Sequence, residues 1–527
     1  MAVLAMEKDD TKTAHAETAE DLSSAQNAEE QELTPTQALR KYPRVVFWCC
    51  FAIWILFLSS FDNQAGGVVL GIPQFRKDFG HAFDGGYVLP AGWQSAHSGG
   101  PTASTVIGAL GSSWVADKIG RKYTLALDVL NVLVGITLET ISTTNPVFFA
   151  GKLINGFSVG AFVTVSMAYV GEIVPLALRG SITAACAVSF TIGSLVAALI
   201  VNGTSNQDSR WAYRIIFVSQ YGVAGVAAIG LPFLPESPWW LLSKGKQDKA
   251  LKSLRRLGYS ADEVTSKIAG IQTVLDKSLQ ETAGASFLEC FRASNFRRMC
   301  VGIDPLIVQA LGGAYFIAAY STYYLQLGGY TVSESFQINI GQQVLSMSGN
   351  ILSWFIIDRF GRRPLTVWGS AFTTLLLVIA GGLGLVQQPS FVKGTVAMMW
   401  MWCFFYNFTI GATAYTLMAE IATARLRAKT AAIGLATQQA IFTMWAFVIP
   451  YLFNPDQANL GGRIAFIFSG LGVLCTVLLW LYLPETMGRT YEELDEMFMK
   501  RVPAWQFKSY QTDAQMNIAA EQRSLKE

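Results

Sequence analysis

The chain is predicted to be an all-α membrane protein of twelve transmembrane helices in two six-helix bundles, and three observations predict it. First, 52% of its 527 residues are hydrophobic and only 14% are charged, against about a quarter charged in soluble domains. Second, twelve mostly apolar runs reach the length, about 20 residues, that a helix needs to cross a hydrocarbon core of about 30 Å. Third, the loop Asp117-Lys-Ile-Gly-Arg-Lys122 returns as Asp358-Arg-Phe-Gly-Arg-Arg363, each time between long apolar runs. A hydrophobic chain that repeats a charged, glycine-hinged loop at matching places in its two halves reads as a duplicated membrane transporter.

In chain order, residues 1–44 are polar and lack the n-region and h-region of a cleavable signal. They are expected to form a disordered cytosolic tail. The N-terminal bundle, 45–235, holds spans near 45–71, 99–116, 123–143, 147–170, 182–202 and 213–234. The C-terminal bundle, 299–484, holds spans near 299–325, 336–357, 365–386, 395–419, 431–453 and 463–483. Between them, 236–298 is too charged to enter lipid. Leu251, Leu254 and Leu257 recur there at helical spacing, and Ser260-Ala-Asp-Glu263 has the pattern of a capping box. Short amphipathic helices are therefore expected in the linker, and residues 485–527 form a second cytosolic tail. Lys118, Arg121, Lys122, Arg359, Arg362 and Arg363 crowd the short loops, and the linker adds further cations. Those loops, and with an even number of spans both termini, belong in the cytosol.

Composition also excludes functions. A net charge of +2, with no basic tract interleaved with aromatics, gives no purchase for nucleic acid. Seven cysteines without C-x-x-C spacing indicate neither a metal site nor a disulfide framework. His15, His81 and His97 form no triad and no metal-ligand spacing. No enzymatic activity, cofactor or metal is expected. Asn202-Gly-Thr204 is a glycosylation sequon in an expected outer loop, whereas Asn407-Phe-Thr409 falls inside a span.

Asp62 is the only acidic or basic side chain between Val45 and Leu70, apart from the weakly acidic thiols of Cys49 and Cys50. A carboxylate placed in a membrane span must be protonated, paired or exposed to a water-filled cavity, which makes it a proton-relay candidate.

Further motifs stand in a fixed order: Gly171-Glu-Ile-Val-Pro-Leu-Ala-Leu-Arg-Gly180, Pro235-Glu-Ser-Pro-Trp-Trp-Leu241, Ala419-Glu-Ile-Ala-Thr-Ala-Arg-Leu-Arg-Ala-Lys-Thr430 and Pro484-Glu-Thr-Met-Gly-Arg489. With the two repeated loops, this set resembles the sugar porter family of the major facilitator superfamily, closest to the fungal α-glucoside (maltose-type) permeases. The resemblance runs from Phe61 to Phe498. It departs from the family pattern at Ser113, Trp354 and Met487, and at Ala422-Thr423, where the following Arg425-Leu-Arg-Ala-Lys-Thr430 looks like the α-glucoside branch.

The resemblance implies roles. Its first-span Asp pairs with a fourth-span Arg, and the matching residue here is Lys152, so Asp62 and Lys152 are the expected proton-coupling pair. Lysine keeps the charge but is a compact ammonium with a movable pKa. Glu172 and Arg179, and again Glu420 and Arg427, lie seven residues apart at the ends of corresponding spans. With Asp117, Arg121, Glu236, Asp358, Arg362 and Glu485 they are expected to form a cytosolic gate of charge-assisted bonds. Amides and aromatics inside apolar helices suit sugar hydroxyls and ring faces. Gln309, Tyr320, Tyr323, Gln342, Gln343, Tyr415, Gln438 and Gln439 are the candidates, with Gln438 on the family's sugar-binding amide and Tyr415 where many members have Trp. Ser194 replaces a common fifth-span Gln. The resemblance thus implies a secondary active transporter, coupling proton entry to import of an α-glucoside or related disaccharide by alternating access. It would be a multi-pass plasma-membrane protein with sugar, proton and lipid as partners, working as a monomer. A hexose or polyol carrier, or a non-transporting sensor of the same fold, are the alternatives.

Overall fold

Pro43 opens the first long helix at a position where a missing N–H costs nothing, and apolar residues then carry it to Val68, with a last turn to Gly71. Eleven further spans follow in this computed structural model, which describes residues 33–512 apart from 84–85, 283–285, 387, 490 and 511. In the first half they are Ala91–Ile119, Arg121–Ile141, Asn145–Ile173, Arg179–Thr204 and Trp211–Phe233. The second half comprises Asn295–Leu327, Val332–Phe360, Arg362–Leu383, Pro389–Ile421, Arg427–Phe453 and Gly461–Tyr482. Nine helices among the described residues are long and apolar enough to cross a membrane. The other three spans carry more polar residues: Ser and Thr in the second, Gln and Asn in the eighth, and Lys393 and Asn407 in the tenth, which is also broken at Thr409. The seventh is likewise interrupted, where Gly313 takes φ +88°. These twelve spans are the major facilitator arrangement that the sequence predicts. Leu127, Leu130 and Val134 on the third span, and Val473, Leu474 and Trp480 on the twelfth, present bare apolar surface, as lipid-facing helices must.

The described chain divides into two compact units, one of residues 33–63, 104–197 and 216–282, the other of 64–103, 198–215 and 286–512. This division cuts four spans of the first half. Within the second unit, Gln326 donates to the Gly71 carbonyl at 2.7 Å and Ser95 donates to the Phe447 carbonyl at 2.8 Å. The ends of the first and second spans therefore pack on the seventh and eleventh. Pro73–Phe79 forms a short helix after the first span, and His81–Phe83 pairs antiparallel with Gly86–Val88.

Part of the N-terminal tail is more ordered than expected, and the linker forms the helices expected of it. Of the tail expected to be disordered to residue 44, residues 1–32 lie outside the described residues, but Pro35–Lys41 is helical. Its end docks on the linker, where Tyr42 lies 5.2 Å from the Tyr259 ring and Lys41 pairs with Glu263 at 3.3 Å. The linker folds into Gln247–Leu257, stopped by left-handed Gly258, and Ala261–Thr282, opened by the expected reciprocal bonds of Ser260 and Glu263. Leu254, Leu257 and Val264 join the apolar core of the first unit, so this segment is packed rather than merely solvated.

Candidate functional site

The coupling candidates meet. Asp62 is 4% exposed and Lys152 is 2% exposed, and their charged atoms lie 3.2 Å apart. Asp62 projects from the middle of the first span, and Lys152 comes from the second turn of the fourth, whose start is set by Pro146. Asn155 and Gln220 also donate to the same Asp62 oxygen, at 3.4 and 3.2 Å. Removing an ion pair from water costs several kcal/mol per ion, so the hydrogen bonds are needed to hold the charge there. A third ionisable group completes the site. Glu139, 0% exposed, lies 3.2 Å from the same Lys152 ammonium and accepts a bond from Asn155 at 2.8 Å. Sequence reasoning missed Glu139, Asn155 and Gln220. The signal that selected Asp62, a carboxylate inside an apolar run, is weaker for Glu139, which stands two residues before the end of its helix.

The charged loops fold alike in both halves. In the first unit Arg121 bonds Glu172 at 2.9 Å and Asp117 at 3.3 Å, while the Glu236 carboxylate receives the backbone N–H of Arg121 at 2.9 Å and of Lys122 at 3.3 Å. In the second, Arg362 meets Glu420 at 3.3 Å, and Glu485 accepts N–H groups from Arg362 at 3.0 Å and Arg363 at 3.2 Å. Each glutamate thus caps the N-terminus of the next span, where the helix dipole favours an anion. Burial pushes the Glu236 carboxyl above its usual value, against the N–H bonds from Ser237, Lys122 and Arg121 that pull it down. Glu172 takes Arg121 as its partner, whereas Arg179 stands exposed at the start of the fifth span. Glu420 takes Arg362 and the Thr486 hydroxyl, while Arg427 opens the eleventh helix. The side chain of Asp358 lies outside the described residues.

In the second unit the structure brings three sugar-site candidates together. Gln438 donates to Gln309 at 2.7 Å, Gln309 donates to the Ile410 carbonyl at 2.8 Å, and the Tyr415 hydroxyl reaches Gln438 at 3.4 Å. Tyr415 keeps 49% of its surface open. The others are placed differently. Gln342 bonds the Ile317 carbonyl and the Cys403 sulfur, Gln343 is buried, and Gln439 is half-buried. Tyr320 and Tyr323 pack on Phe453 at 5.8 and 5.5 Å, and Arg76 lies 5.2 Å from the Tyr323 ring. Asn202 sits half-buried in the last turn of the fifth span.

Known proteins agree with this architecture. The profile of the family described as Sugar (and other) transporter matches residues 48–498. The General alpha-glucoside permease of Saccharomyces cerevisiae is 29% identical over 506 residues, 94% of this chain and 82% of that protein. Alpha-glucosides permease MPH3 of the same organism is 30% identical over 93% of this chain and 83% of its own length. The xylose transporter XylE from E. coli, in a partially occluded inward open conformation, superposes with a TM-score of 0.70 at 18% identity, covering 85% of this chain and 100% of that one.

Proposed function

The chain belongs to the Sugar (and other) transporter family, a family of membrane carriers and not of enzymes, and from that premise we propose that it imports an α-glucoside or related disaccharide together with a proton. The observation that carries the coupling is the buried Asp62–Lys152 pair. A carboxylate held by a nearby ammonium favours ionisation, and separating the two favours protonation. A carrier in which the pair opens and closes as it alternates between faces can therefore load a proton with its sugar and release both on the other side. The choice of an α-glucoside rests on the yeast permeases, alike over more than nine-tenths of this chain. Gln309, Gln438 and Tyr415 supply the amide and hydroxyl groups that such a substrate needs. The protein acts in the plasma membrane, as a monomer with both termini in the cytosol, and the Arg121 and Arg362 networks hold the cytosolic side while it faces outward.

The test is uptake of radiolabelled maltose, other α-glucosides, hexoses and polyols in a transporter-deficient host, with and without an uncoupler. Accumulation of an α-glucoside that collapses with the uncoupler is expected. Uptake confined to hexoses or polyols would overturn the substrate, and uncoupler-insensitive accumulation would overturn the coupling.

A further inference from the structure

A lone Asp–Lys pair is an awkward proton carrier. Ionised, the pair is already neutral, so adding a proton to the carboxylate leaves a buried ammonium without a counter-ion, at a cost of several kcal/mol. The first unit solves this. The Lys152 ammonium lies 3.2 Å from Asp62 and 3.2 Å from Glu139, and Asn155 donates to both carboxylates. With both acids ionised, two negative charges face one positive charge, and a single bound proton makes the trio neutral.

We propose that Glu139 is a second proton-binding carboxylate, sharing Lys152 with Asp62 so that the three side chains together hold the one proton carried per cycle. This rests on the proton-coupled reading given above and assigns its stoichiometric site.

The two acids are not equivalent. Asp62 receives Lys152, Asn155 and Gln220, all on one oxygen. Glu139 receives Lys152 and Asn155 on Oε1, while its Oε2 is buried with no hydrogen-bond partner among the described residues. That oxygen is the place for the proton. When Glu139 Oε2–H forms, the ammonium is left to Asp62. When that proton leaves, Lys152 is again shared by the two carboxylates, 3.2 Å from each.

The site is also built for closeness. A Cβ on Gly151 would stand 2.9 Å from Glu139 Cγ, and one on Gly135 would stand 2.0 Å from the Asn155 oxygen. Glycine at both places lets the third and fourth spans approach. Phe217, itself buried, lies 5.4 Å from the ammonium. The charged groups facing Glu139 are Lys152 from the fourth span and Asp62 from the first. On its own helix the other carboxylate, Asp128, is turned to Ser112 at 3.4 Å.

The experiment measures sugar-induced alkalinisation of a lightly buffered cell suspension alongside labelled sugar uptake, at matched surface abundance. In the parent, sugar-induced proton uptake is expected; its absence would overturn the coupled reading and the proposal with it. In Glu139→Gln, Asp62 and Lys152 become a locked neutral pair, so proton uptake should fall to the no-sugar baseline and uphill accumulation should be lost, with sugar counterflow still detectable. Glu139→Gln with Lys152→Gln leaves Asp62 alone, neutral when protonated, and should regain part of the proton uptake. A coupled parent with a fully coupled Glu139→Gln would overturn the proposal and leave the coupled reading standing. If Glu139→Gln fails to reach the surface, Glu139→Asp decides: a displaced pH profile supports the shared proton, and a profile superimposed on the parent's refutes it.

Discussion

Gly120 offers a sharp test of how the charged loops are held. Its backbone adopts φ +104° and ψ 164°, a region open essentially to glycine, where another residue costs about 1–3 kcal/mol. Space is also denied: an added Cβ would stand 2.3 Å from Glu236 Oε2 and 3.2 Å from the Trp240 ring. Moving that carboxylate aside weakens its bonds to the Arg121 and Lys122 amides. Hydrogen bonds to a charged group contribute about 1.5–3 kcal/mol. The two contributions place Gly120→Ala at roughly 3–5 kcal/mol. Gly361 repeats the geometry, with φ +88° and a Cβ that would stand 2.6 Å from Glu485 Oε2, so Gly361→Ala should cost a similar amount. Gly245 is the control. It also has positive φ, +68°, but no atom lies within 4 Å of its would-be Cβ, and Gly245→Ala should cost only about 1 kcal/mol. The assay is thermal unfolding of the three variants purified in one detergent. For a chain of this size, the first two should melt roughly 5 °C below the parent and the third within about 1–2 °C. If Gly120→Ala melts with Gly245→Ala, the carboxylate cap is not what fixes the loop.

Asp62→Asn should abolish uphill sugar accumulation while exchange down a gradient remains measurable, as read by uncoupler-sensitive uptake. Arg121→Ala and Arg362→Ala should each cut uptake without lowering surface abundance if these networks hold one face closed; normal transport would reduce them to helix anchors. Gln438→Ala leaves Gln309 and Tyr415 without their partner and removes an amide from the substrate, so half-saturation should rise about tenfold, for a loss of about 1–3 kcal/mol. The Glu263 carboxyl is held below its usual value, since the Ser260 backbone and hydroxyl and Lys41 together outweigh the opposing effect of burial. A lowered folded-state pKa gives stability that is present above the unfolded value and lost as pH falls through the folded one. Amides of Pro35–Tyr42 should therefore exchange faster in acid, and Glu263→Gln should show that loss already at neutral pH.

What could be read in the sequence follows from how far each signal reaches along the chain. Apolar runs, the capping box at Ser260 and the duplicated loops are local patterns, and each appears in the fold where expected. Partner choice is not local. Glu172 and Arg179 lie seven positions apart and are both expected in one gate network, yet a 3₁₀ turn at Leu176–Leu178 carries Arg179 onto a new helix and leaves Glu172 to Arg121. The amides were visible as polar groups in apolar helices, but only packing decides that Gln438 meets Gln309 while Gln342 is taken up by the Ile317 carbonyl. Glu139 shows the same limit most plainly. It stands two residues before the end of the third span at Ile141, where a carboxylate reads as an interfacial anchor with its charge in water. The fourth span begins only four residues later, at Asn145, and its Gly151 removes the side chain that would have kept the helices apart. A residue that the chain places at the edge of the membrane is thereby enclosed with Asp62 and Lys152, and its charge becomes part of the site.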